Sequence, residues 1–365
     1  MPPFNSRPFS AVGAQVAITC VGYLLAIPIG TAILADRFIQ WVKGEREDPT
    51  KTLWRNAKLE DPVPNLHHKW LSVNGIKIHA VRCDSETSSP PKPVMLLVHG
   101  FPQAWFAWQY QMQHFRDRYD VWALDMRGYN ESDKPEGVSA YLRSHLVSDI
   151  AEVVKQISPE RKVTLVAHDW GAVVAWDFAR AFPQYLSHLV ILCAPHPKIF
   201  LERMSLAQMR RSWYIMLFQT PFVPEMLLSM RSFVVIDRML TGVRSGLHNR
   251  DQLSEEDVMR YKQALARPGS LSATINYYRA LYRFDPNAPR PVRGKLKVPT
   301  LLMWADGDVA FKETVFQGTE RFVEDIRIVQ LADCSHFAPE DCPEQVNAQI
   351  DRFLSDHANA LNAKL

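Results

Sequence analysis

The sequence contains few of the features that mark secreted, metal-binding or nucleic-acid-binding proteins. It has 5 cysteines in 365 residues, and no two are spaced as Cys-x-x-Cys. This odd and scattered set indicates neither a disulfide framework nor a zinc site, and it suits a reducing compartment. The formal net charge of +3 at pH 7 is too close to neutral to indicate a nucleic-acid partner. A composition of 47% hydrophobic and 22% charged residues is typical of a globular protein.

An apolar segment near the N-terminus, residues 11–35, has no charged side chain. A helix of this length spans the ~30 Å hydrocarbon core of a bilayer, so we predict a tail and single-pass membrane anchor over residues 1–35. A cleaved signal peptide is the alternative, but its apolar core is ordinarily shorter. The flanking basic residues are Arg7 before the segment and Arg37, Lys43, Arg46 and Lys51 after it. By the positive-inside tendency we expect the bulk of the protein to face the cytoplasm, from the endoplasmic reticulum membrane.

The remaining chain divides into a linker, two parts of one core and an insertion. Residues 36–66 are polar and contain proline, and they are predicted to form the linker. Strand-like and helix-like segments alternate over 67–198 and again over 293–365, which predicts a mostly parallel, doubly wound α/β sheet. Between them, residues 199–292 have Met, Leu, Trp and Tyr at helical spacing and are predicted to form a helical lid. A lid at this position covers the C-terminal ends of the strands, where ligands bind in such sheets.

One carboxylate stands between a predicted strand and a predicted helix. The run Val163–Ala167 is apolar and partly β-branched, which indicates a buried strand, and the helix is predicted to follow from Gly171. Asp169 lies between them, with the small residues Ala167 and Gly171 two positions away on either side. A sharp strand-to-helix turn needs such small neighbours, so Asp169 occupies the nucleophile position of a nucleophile elbow, where Ser is commoner. An ordinary helix N-cap is the alternative interpretation.

The partners of such a nucleophile follow it along the chain in the order acid, then histidine. Asp306 and Asp308 come directly after a predicted strand, and both are candidates for the acid. His336 follows the next predicted strand and is the candidate histidine. Because the carboxyl ends of parallel strands meet at one edge of the sheet, we expect these residues to lie beside Asp169.

Two backbone N–H groups are predicted to form an oxyanion hole. One belongs to Trp170, directly after the candidate nucleophile, and the other to Phe101, which follows the turn at Gly100. An ionised Asp can displace a leaving group at a saturated carbon and form an alkyl ester. His336, oriented by its acid, can then activate the water molecule that hydrolyses the ester. This division into two steps fits epoxides or alkyl halides as substrates.

From about residue 67 to the C-terminus, the chain resembles the epoxide hydrolases of the α/β-hydrolase superfamily. The motifs are His99-Gly100-Phe101-Pro102, Arg127-Gly128-Tyr129, His168-Asp169-Trp170-Gly171, Pro195-His196-Pro197, Phe218-Gln219-Thr220-Pro221 and Asn276-Tyr277-Tyr278-Arg279. With an N-terminal anchor and no extra phosphatase domain, the chain is most similar to the membrane-anchored, single-domain enzymes of animals. The resemblance implies an α/β-hydrolase fold with a helical lid, preceded by one transmembrane helix.

The resemblance also implies that two lid tyrosines hydrogen-bond the oxygen of the opening epoxide. They match Tyr214, four residues before Phe218, and Tyr278 rather than Tyr277. The implied acid is Asp308, and no metal or other cofactor is expected. The expected substrate-binding residues are His99, Pro102, Trp213 and Phe218. Relatives in this group act on lipid epoxides, including epoxy-fatty acids. The expected substrates are therefore a lipophilic epoxide and water, in lipid metabolism or detoxification.

Two other functions compete with this interpretation. Haloalkane dehalogenases share the His-Asp-Trp-Gly motif, and Trp170 and Trp213 can cradle a halide, but those enzymes generally have Asn where Phe101 stands. A catalytically inactive, membrane-anchored binding protein is the second alternative, although every expected catalytic position is filled. The chain departs from the family's Arg-Gly-Tyr-Gly pattern at Asn130, a residue type that tolerates positive φ. We expect deletion of residues 1–40 to release an active, soluble enzyme.

Overall fold

An eight-stranded sheet forms the centre of the protein, and the computed structural model describes residues 8–43, 53–55, 59–83, 91–288 and 294–362. The strands are β1 (His67–Val73), β2 (Ile76–Cys83), β3 (Val94–Val98), β4 (Asp120–Leu124), β5 (Val163–His168), β6 (Leu186–Leu192), β7 (Thr300–Ala305) and β8 (Ile326–Leu331). Their order across the sheet is β1-β2-β4-β3-β5-β6-β7-β8. β2 runs antiparallel to both of its neighbours, whereas the pairs from β4 to β8 are parallel. The predicted mostly parallel α/β sheet is confirmed.

The helices precede, connect and cover these strands. They are α1 (Pro8–Val42), α2 (Gln109–Phe115), α3 (Arg143–Ile157), α4 (Asp169–Ala181), α5 (Pro197–Glu202), α6 (Leu206–Arg211), α7 (Trp213–Leu217), α8 (Val223–Thr241), α9 (Glu255–Ala266), α10 (Ser270–Ala280), α11 (Ala338–Asp341) and α12 (Pro343–Asn362). β3 and β5 are buried at every position, as expected for central strands covered on both faces. Their apolar runs therefore fix the core from which the site residues project.

The predicted lid is the block of helices α5 to α10, inserted between β6 and β7. It begins at Pro197, close to the predicted boundary at 199, and α10 ends at Ala280. α8 is interrupted at Met230–Phe233, where the backbone leaves the helical conformation. Residues 289–293, at the predicted lid boundary, lie outside the described residues. Since β6 and β7 are parallel neighbours, the insertion stands at the carboxyl end of the sheet.

The N-terminal helix α1 packs along the lid. A Cβ atom at Gly22 would lie 2.4 Å from the carbonyl oxygen of Met216 in α7, so glycine is needed for this close approach. Further along, Asp36 forms an ion pair with Arg231 of α8. The segment Val16–Gln40 is long and apolar enough to cross a membrane, a property that a signal sequence shares. α1 therefore has one face against the protein and an apolar face outside it.

These contacts change the predicted boundaries of the N-terminal region. α1 continues to Val42, past the predicted end of the anchor at residue 35. The expected release of an active enzyme by deletion of residues 1–40 assumes an anchor separate from the lid, whereas α1 contacts both α7 and α8. Residues 44–52 and 56–58 of the predicted linker lie outside the described residues, as do three of the flanking basic residues, Arg7, Arg46 and Lys51.

Candidate active site

Asp169 lies at the junction of β5 and α4 in a strained turn. Its φ angle is 48°, in the left-handed region that residues with a side chain rarely adopt. A Cβ atom at Gly171 would lie 2.4 Å from the carbonyl oxygen of Val98, and one at Gly100 would lie 2.4 Å from the Cβ atom of Asp169. Glycine is therefore required at both positions. The N-cap of α4 is His168, so the alternative of Asp169 as an ordinary N-cap is wrong.

The structure brings the candidate nucleophile, acid and histidine together. Nδ1 of His336 lies 2.8 Å from Oδ2 of Asp308, and Nε2 lies 3.5 Å from Oδ2 of Asp169. Asp306 instead accepts hydrogen bonds from two backbone N–H groups in the loop before His336, over 3.1 and 3.2 Å. Of the two candidate acids, Asp308 is the one that contacts His336.

Charge couples the carboxylate of Asp169 to the imidazole of His336. Burial favours a higher pKa for Asp169, but the hydrogen bond and charge of His336 outweigh it and lower the pKa. Burial favours a lower pKa for His336, but Asp308 and Asp169 outweigh it and raise the pKa to about 10. The resting site therefore contains an ionised Asp169, the form that a nucleophile needs, beside a protonated His336.

Both predicted oxyanion-hole donors lie next to this carboxylate. The N–H group of Phe101 donates to Oδ1 of Asp169 over 2.7 Å. Trp170 lies in the first turn of α4, where backbone N–H groups have no acceptor within the helix. The peptide bond between Phe101 and Pro102 is cis. The N–H group of Phe101 is therefore in place to stabilise negative charge that develops at Asp169, and the role of the Trp170 N–H group stays a prediction.

Two lid tyrosines and Asp169 line the same cavity. The rings of Tyr214, from α7, and Tyr278, from α10, meet edge to face with their centroids 5.8 Å apart. Burial raises the pKa of both hydroxyl groups well above the ordinary value, so both stay protonated as donors. Tyr277 instead donates to the backbone oxygen of Arg127 over 2.7 Å. Of the two adjacent tyrosines, Tyr278 is the one that faces the cavity.

The cavity has a volume of about 620 Å³ and lies between the elbow and the lid. Phe101, Phe218 and Phe337 line it near Asp169. Its lid wall is apolar and consists of Leu217, Leu227, Leu228, Val235 and Met239. Arg210, Trp213 and Arg244 also line it and are exposed, so they mark the mouth of the cavity. The wall residues of α8 were not predicted, because helical spacing alone does not show which face of a lid helix points inward.

Of the four expected substrate-binding residues, Trp213 and Phe218 line the cavity. The prediction for His99 and Pro102 is wrong, since neither is among the described residues that line it. His99 is fully buried; its Nδ1 donates to the oxygen of Gly100 over 2.8 Å, and its Nε2 accepts from the N–H of Met126 over 3.1 Å. Both nitrogens are thus used to brace the oxyanion loop.

Behind His336 lies a row of buried side chains linked by hydrogen bonds, which no sequence motif indicates. Nε2 of His168 lies 2.7 Å from the backbone oxygen of His336, and Nδ1 lies 2.7 Å from the side-chain amide of Gln103. The same amide lies 2.9 Å from the carboxyl group of Glu340, to which Tyr261 donates over 2.6 Å. We call Tyr261, Glu340, Gln103 and His168 the Glu340 relay. Gln103 directly follows the His-Gly-Phe-Pro motif, but only the fold brings Glu340 to it.

Burial sets the protonation of the Glu340 relay. It lowers the pKa of His168 to about 4 and raises the pKa of Glu340 to about 8, so both are neutral at pH 7. The oxygen of His336 can only accept, so Nε2 of His168 carries the proton and Nδ1 accepts. An accepting Nδ1 needs the amide nitrogen of Gln103 to face it, whereas the oxygen of Gln103 lies 2.7 Å from Nδ1 and its nitrogen donates to Glu340 over 2.9 Å. Turning the amide by 180° resolves this mismatch: its nitrogen then donates to His168, and its oxygen accepts from Glu340, which must be protonated. A neutral His168 and a neutral Glu340 therefore imply the turned amide.

Cysteine and histidine side chains gather around the same loop. Cys334 and Cys342 form a disulfide bond that encloses His336, so the expectation of no disulfide is wrong for this pair. His168, Cys193 and His336 place possible ligand atoms within 4.8 Å of one another. However, the ring nitrogens of both histidines already face the hydrogen-bonding and acidic partners given above. This cluster therefore offers no free imidazole nitrogen to a metal ion.

The departure at Asn130 is accommodated by the turn. Its φ angle is 37°, as the sequence predicts for a residue in the place of glycine. Its side chain is buried, donating to Asp125 over 2.9 Å and accepting from Arg267 over 3.1 Å. The substitution therefore adds hydrogen bonds to the turn.

Known proteins are similar to this chain in sequence and in fold. A family model for the alpha/beta hydrolase fold matches residues 93–343. Epoxide hydrolase 2 of Caenorhabditis elegans is 35% identical over 299 residues, which cover 80% of this chain and 81% of that protein. Epoxide hydrolase 4 of Homo sapiens is 33% identical over 319 residues, which cover 84% of this chain and 86% of that protein.

A solved structure agrees with these sequence matches. The crystal structure of an epoxide hydrolase from Bacillus megaterium has a TM-score of 0.69 and 29% identity, covering 79% of this chain and 100% of that one. The residues that the family model matches include Asp169, Asp308 and His336. On this similarity, the chain belongs to the epoxide hydrolases of the α/β-hydrolase superfamily.

Proposed function

We propose that the protein hydrolyses lipophilic epoxides to vicinal diols through a covalent ester on Asp169. The observation that carries this proposal is that the carboxylate of Asp169 and the hydroxyl-bearing rings of Tyr214 and Tyr278 line one cavity. A nucleophile and two protonated donors thus flank the same space. An epoxide between them has a ring carbon for the carboxylate and a ring oxygen for the hydroxyls.

In the first step, an oxygen of Asp169 attacks one ring carbon and the bond from that carbon to the ring oxygen breaks. The ring oxygen gains negative charge, which the hydroxyls of Tyr214 and Tyr278 stabilise by hydrogen bonding and proton donation. The product is an alkyl ester of Asp169 with a neighbouring hydroxyl. A carboxylate needs no base to begin this step, because the hydrogen bond and charge of His336 outweigh burial and leave it ionised.

In the second step, water attacks the carbonyl carbon of the ester. Once Asp169 is esterified, one of the two carboxylates that raise the pKa of His336 has lost its charge. The imidazolium can then pass its proton, through water, to the tyrosinate left by ring opening, and the neutral imidazole takes a proton from the attacking water, while Asp308 holds Nδ1 at 2.8 Å. The N–H groups of Phe101 and Trp170 stabilise the oxyanion of the tetrahedral intermediate. Its collapse releases the diol and restores Asp169.

The cavity supports a lipid-like substrate with a polar or anionic end. Its lid wall is apolar, whereas the exposed arginines Arg210 and Arg244 stand at the mouth. An apolar chain can occupy the inner part while a carboxylate meets the guanidinium groups. We therefore propose epoxides of fatty acids as the substrate class, and we propose that α1 associates the protein with a membrane.

Isotope labelling tests the covalent step directly. In a single turnover in ¹⁸O water, the label should appear in Asp169 and not in the first diol formed, because water attacks the ester carbonyl. Asp169→Asn should lower turnover by at least about 10⁴-fold. Asp306→Asn is the matched control, since Asp306 is the candidate acid that does not contact His336, and the amide oxygen keeps one of the two backbone hydrogen bonds that the carboxylate accepts on separate oxygens. Label found first in the diol would refute the ester, and halide released from a haloalkane panel without epoxide turnover would point to a dehalogenase.

A further inference from the structure

The lid touches α1 along the part of that helix that is long and apolar enough to cross a membrane. Gly22 meets the backbone of Met216, and a Cβ atom at Gly30 would lie 3.8 Å from a methyl group of Val223. The ion pair of Asp36 with Arg231 lies further toward the C-terminal end. α7 and α8 therefore run beside α1 over most of the segment Val16–Gln40.

Nine exposed side chains of α1 are large and apolar. They are Val16, Val21, Tyr23, Leu24, Ile27, Leu34, Phe38, Ile39 and Val42. Side chains of this kind are covered by another protein surface or by lipid. Because they surround the outer side of a single long helix, the surrounding medium that fits them is the interior of a bilayer.

The adjoining lid surface has the same character. Phe222 directly precedes Val223 and is 75% exposed, while Leu206 and Met209 on α6 are 65% and 57% exposed. Trp213, the first residue of α7, is 44% exposed and also lines the cavity. We call Leu206, Met209, Trp213 and Phe222 the lid apolar face. Of these four residues, Trp213 lies at the cavity mouth and Phe222 lies next to the contact with α1.

We propose that the lid apolar face docks on the same bilayer that holds α1, so that the cavity opens toward the lipid. This proposal rests on the membrane association proposed above. Residues 22–36 of α1 directly contact residues within 216–231 of the lid. A leaflet that covers the outer side of α1 therefore also reaches the lid. A lipid epoxide can then move from the bilayer past Trp213 into the cavity without crossing bulk water.

Site-specific fluorescence in vesicles tests this placement in the full-length protein. Cys20 is exposed on α1, and the other cysteines are buried or disulfide-bonded, so a thiol-reactive fluorophore on Cys20 reports on the anchor. Cys20→Ser with Met209→Cys moves the label to the lid. Cys20→Ser with Glu160→Cys moves it to the exposed loop before β5, at the opposite end of the sheet from Asp169.

Two series of phosphatidylcholine vesicles are compared, one of which has a quencher attached to the acyl chains. We expect strong quenching at positions 20 and 209 and none at position 160. Quenching at position 20 alone would overturn lid docking while leaving the anchor intact. The absence of quenching at all three positions would overturn membrane association itself, which is a separate failure.

Kinetics provide a second test. Leu206→Ser with Met209→Ser should raise KM for an epoxide dissolved in vesicles by about 5-fold or more, and leave kcat/KM for a small water-soluble epoxide unchanged, because neither residue lines the cavity. Ile328→Ser, an exposed apolar position on β8 at the far edge of the sheet, is the matched control and should change neither. Equal effects on both substrates would overturn the proposal.

Discussion

The variant Glu340→Gln tests how a protonated, buried carboxyl group at Glu340 affects the stability of the protein. Glu340 is 1% exposed, and burial raises its pKa from the ordinary 4.5 to about 8. The donating hydroxyl of Tyr261 lowers that pKa, whereas the charges of Asp257 and Asp341 raise it. The amide of a glutamine can donate to Gln103 and accept from Tyr261, as the protonated acid does. The substitution therefore removes the titration and keeps the hydrogen bonds.

The direction of the effect follows from proton linkage. Between pH 4.5 and about 8 the unfolded chain loses the proton of Glu340 while the folded chain keeps it. The free energy of unfolding therefore decreases with rising pH by about 1.4 kcal/mol per unit from this group alone. From pH 4.5 to pH 7 the accumulated loss is about 3 kcal/mol, and it stops growing above the folded pKa of about 8.

Urea unfolding monitored by tryptophan fluorescence, in detergent micelles from pH 5.5 to 8.5, measures this loss. The Glu340→Gln variant should be more stable than the parent protein at pH 7, by about 3 kcal/mol, and the difference should increase with pH up to about 8. Glu344→Gln, at an exposed position in α12, is the matched control and should keep the parental pH dependence. A Glu340→Gln variant with the parental slope, or with lower stability at pH 7, would show that Glu340 is ionised and would refute the neutral relay.

The remaining predictions concern the reaction and α1. Tyr214→Phe with Tyr278→Phe should abolish ring opening and leave the free energy of unfolding unchanged within about 1 kcal/mol, because only the two hydroxyl groups are lost. Stopped-flow measurement of ester formation checks this, and parental rates would contradict it. Asp308→Asn should lower the pKa of His336 and slow ester hydrolysis, so that mass spectrometry detects a persistent ester on Asp169; a parental steady-state ester level would contradict the role of Asp308. Gly22→Leu should displace α1 from Met216 and lower the thermal midpoint, whereas Gly13→Leu, where a Cβ atom has no neighbour within 4 Å, should not.

The local part of the site could be predicted because it is encoded within a few consecutive residues. The elbow requires Gly171 beside Asp169, and the close approach of the two strand ends requires Gly100. The order of Asp169, Asp308 and His336 along a parallel sheet then brings them to one edge. Chain order alone did not decide between Asp306 and Asp308, since both follow β7; the family resemblance implied Asp308, and the structure places it beside His336.

The wrong predictions for His99 and for the cysteine pair have a common physical origin. His99 belongs to a motif that includes oxyanion-loop residues, but its ring turns away from the cavity because the backbone groups of Gly100 and Met126 occupy its nitrogens. Cys334 and Cys342 looked unrelated in a count of scattered cysteines, yet the loop around His336 brings their sulfur atoms into a bond. In each case the side-chain direction depends on a partner that spacing does not specify.

The position of His336, the proposed general base, depends on the whole chain rather than on its own motif. The backbone oxygen of His336 accepts a hydrogen bond from His168, whose other nitrogen is held by Gln103, and Gln103 in turn is held by Glu340, 237 positions away in sequence. Each link is neutral, so no link loses its partner when the charge of Asp169 disappears in the ester. The relay therefore holds the His336 backbone in both halves of the reaction, while only Asp308 and Asp169 govern the proton on its ring. Substitutions that disturb the relay should consequently alter the placement of the imidazole, and substitutions at the two carboxylates should alter its pKa.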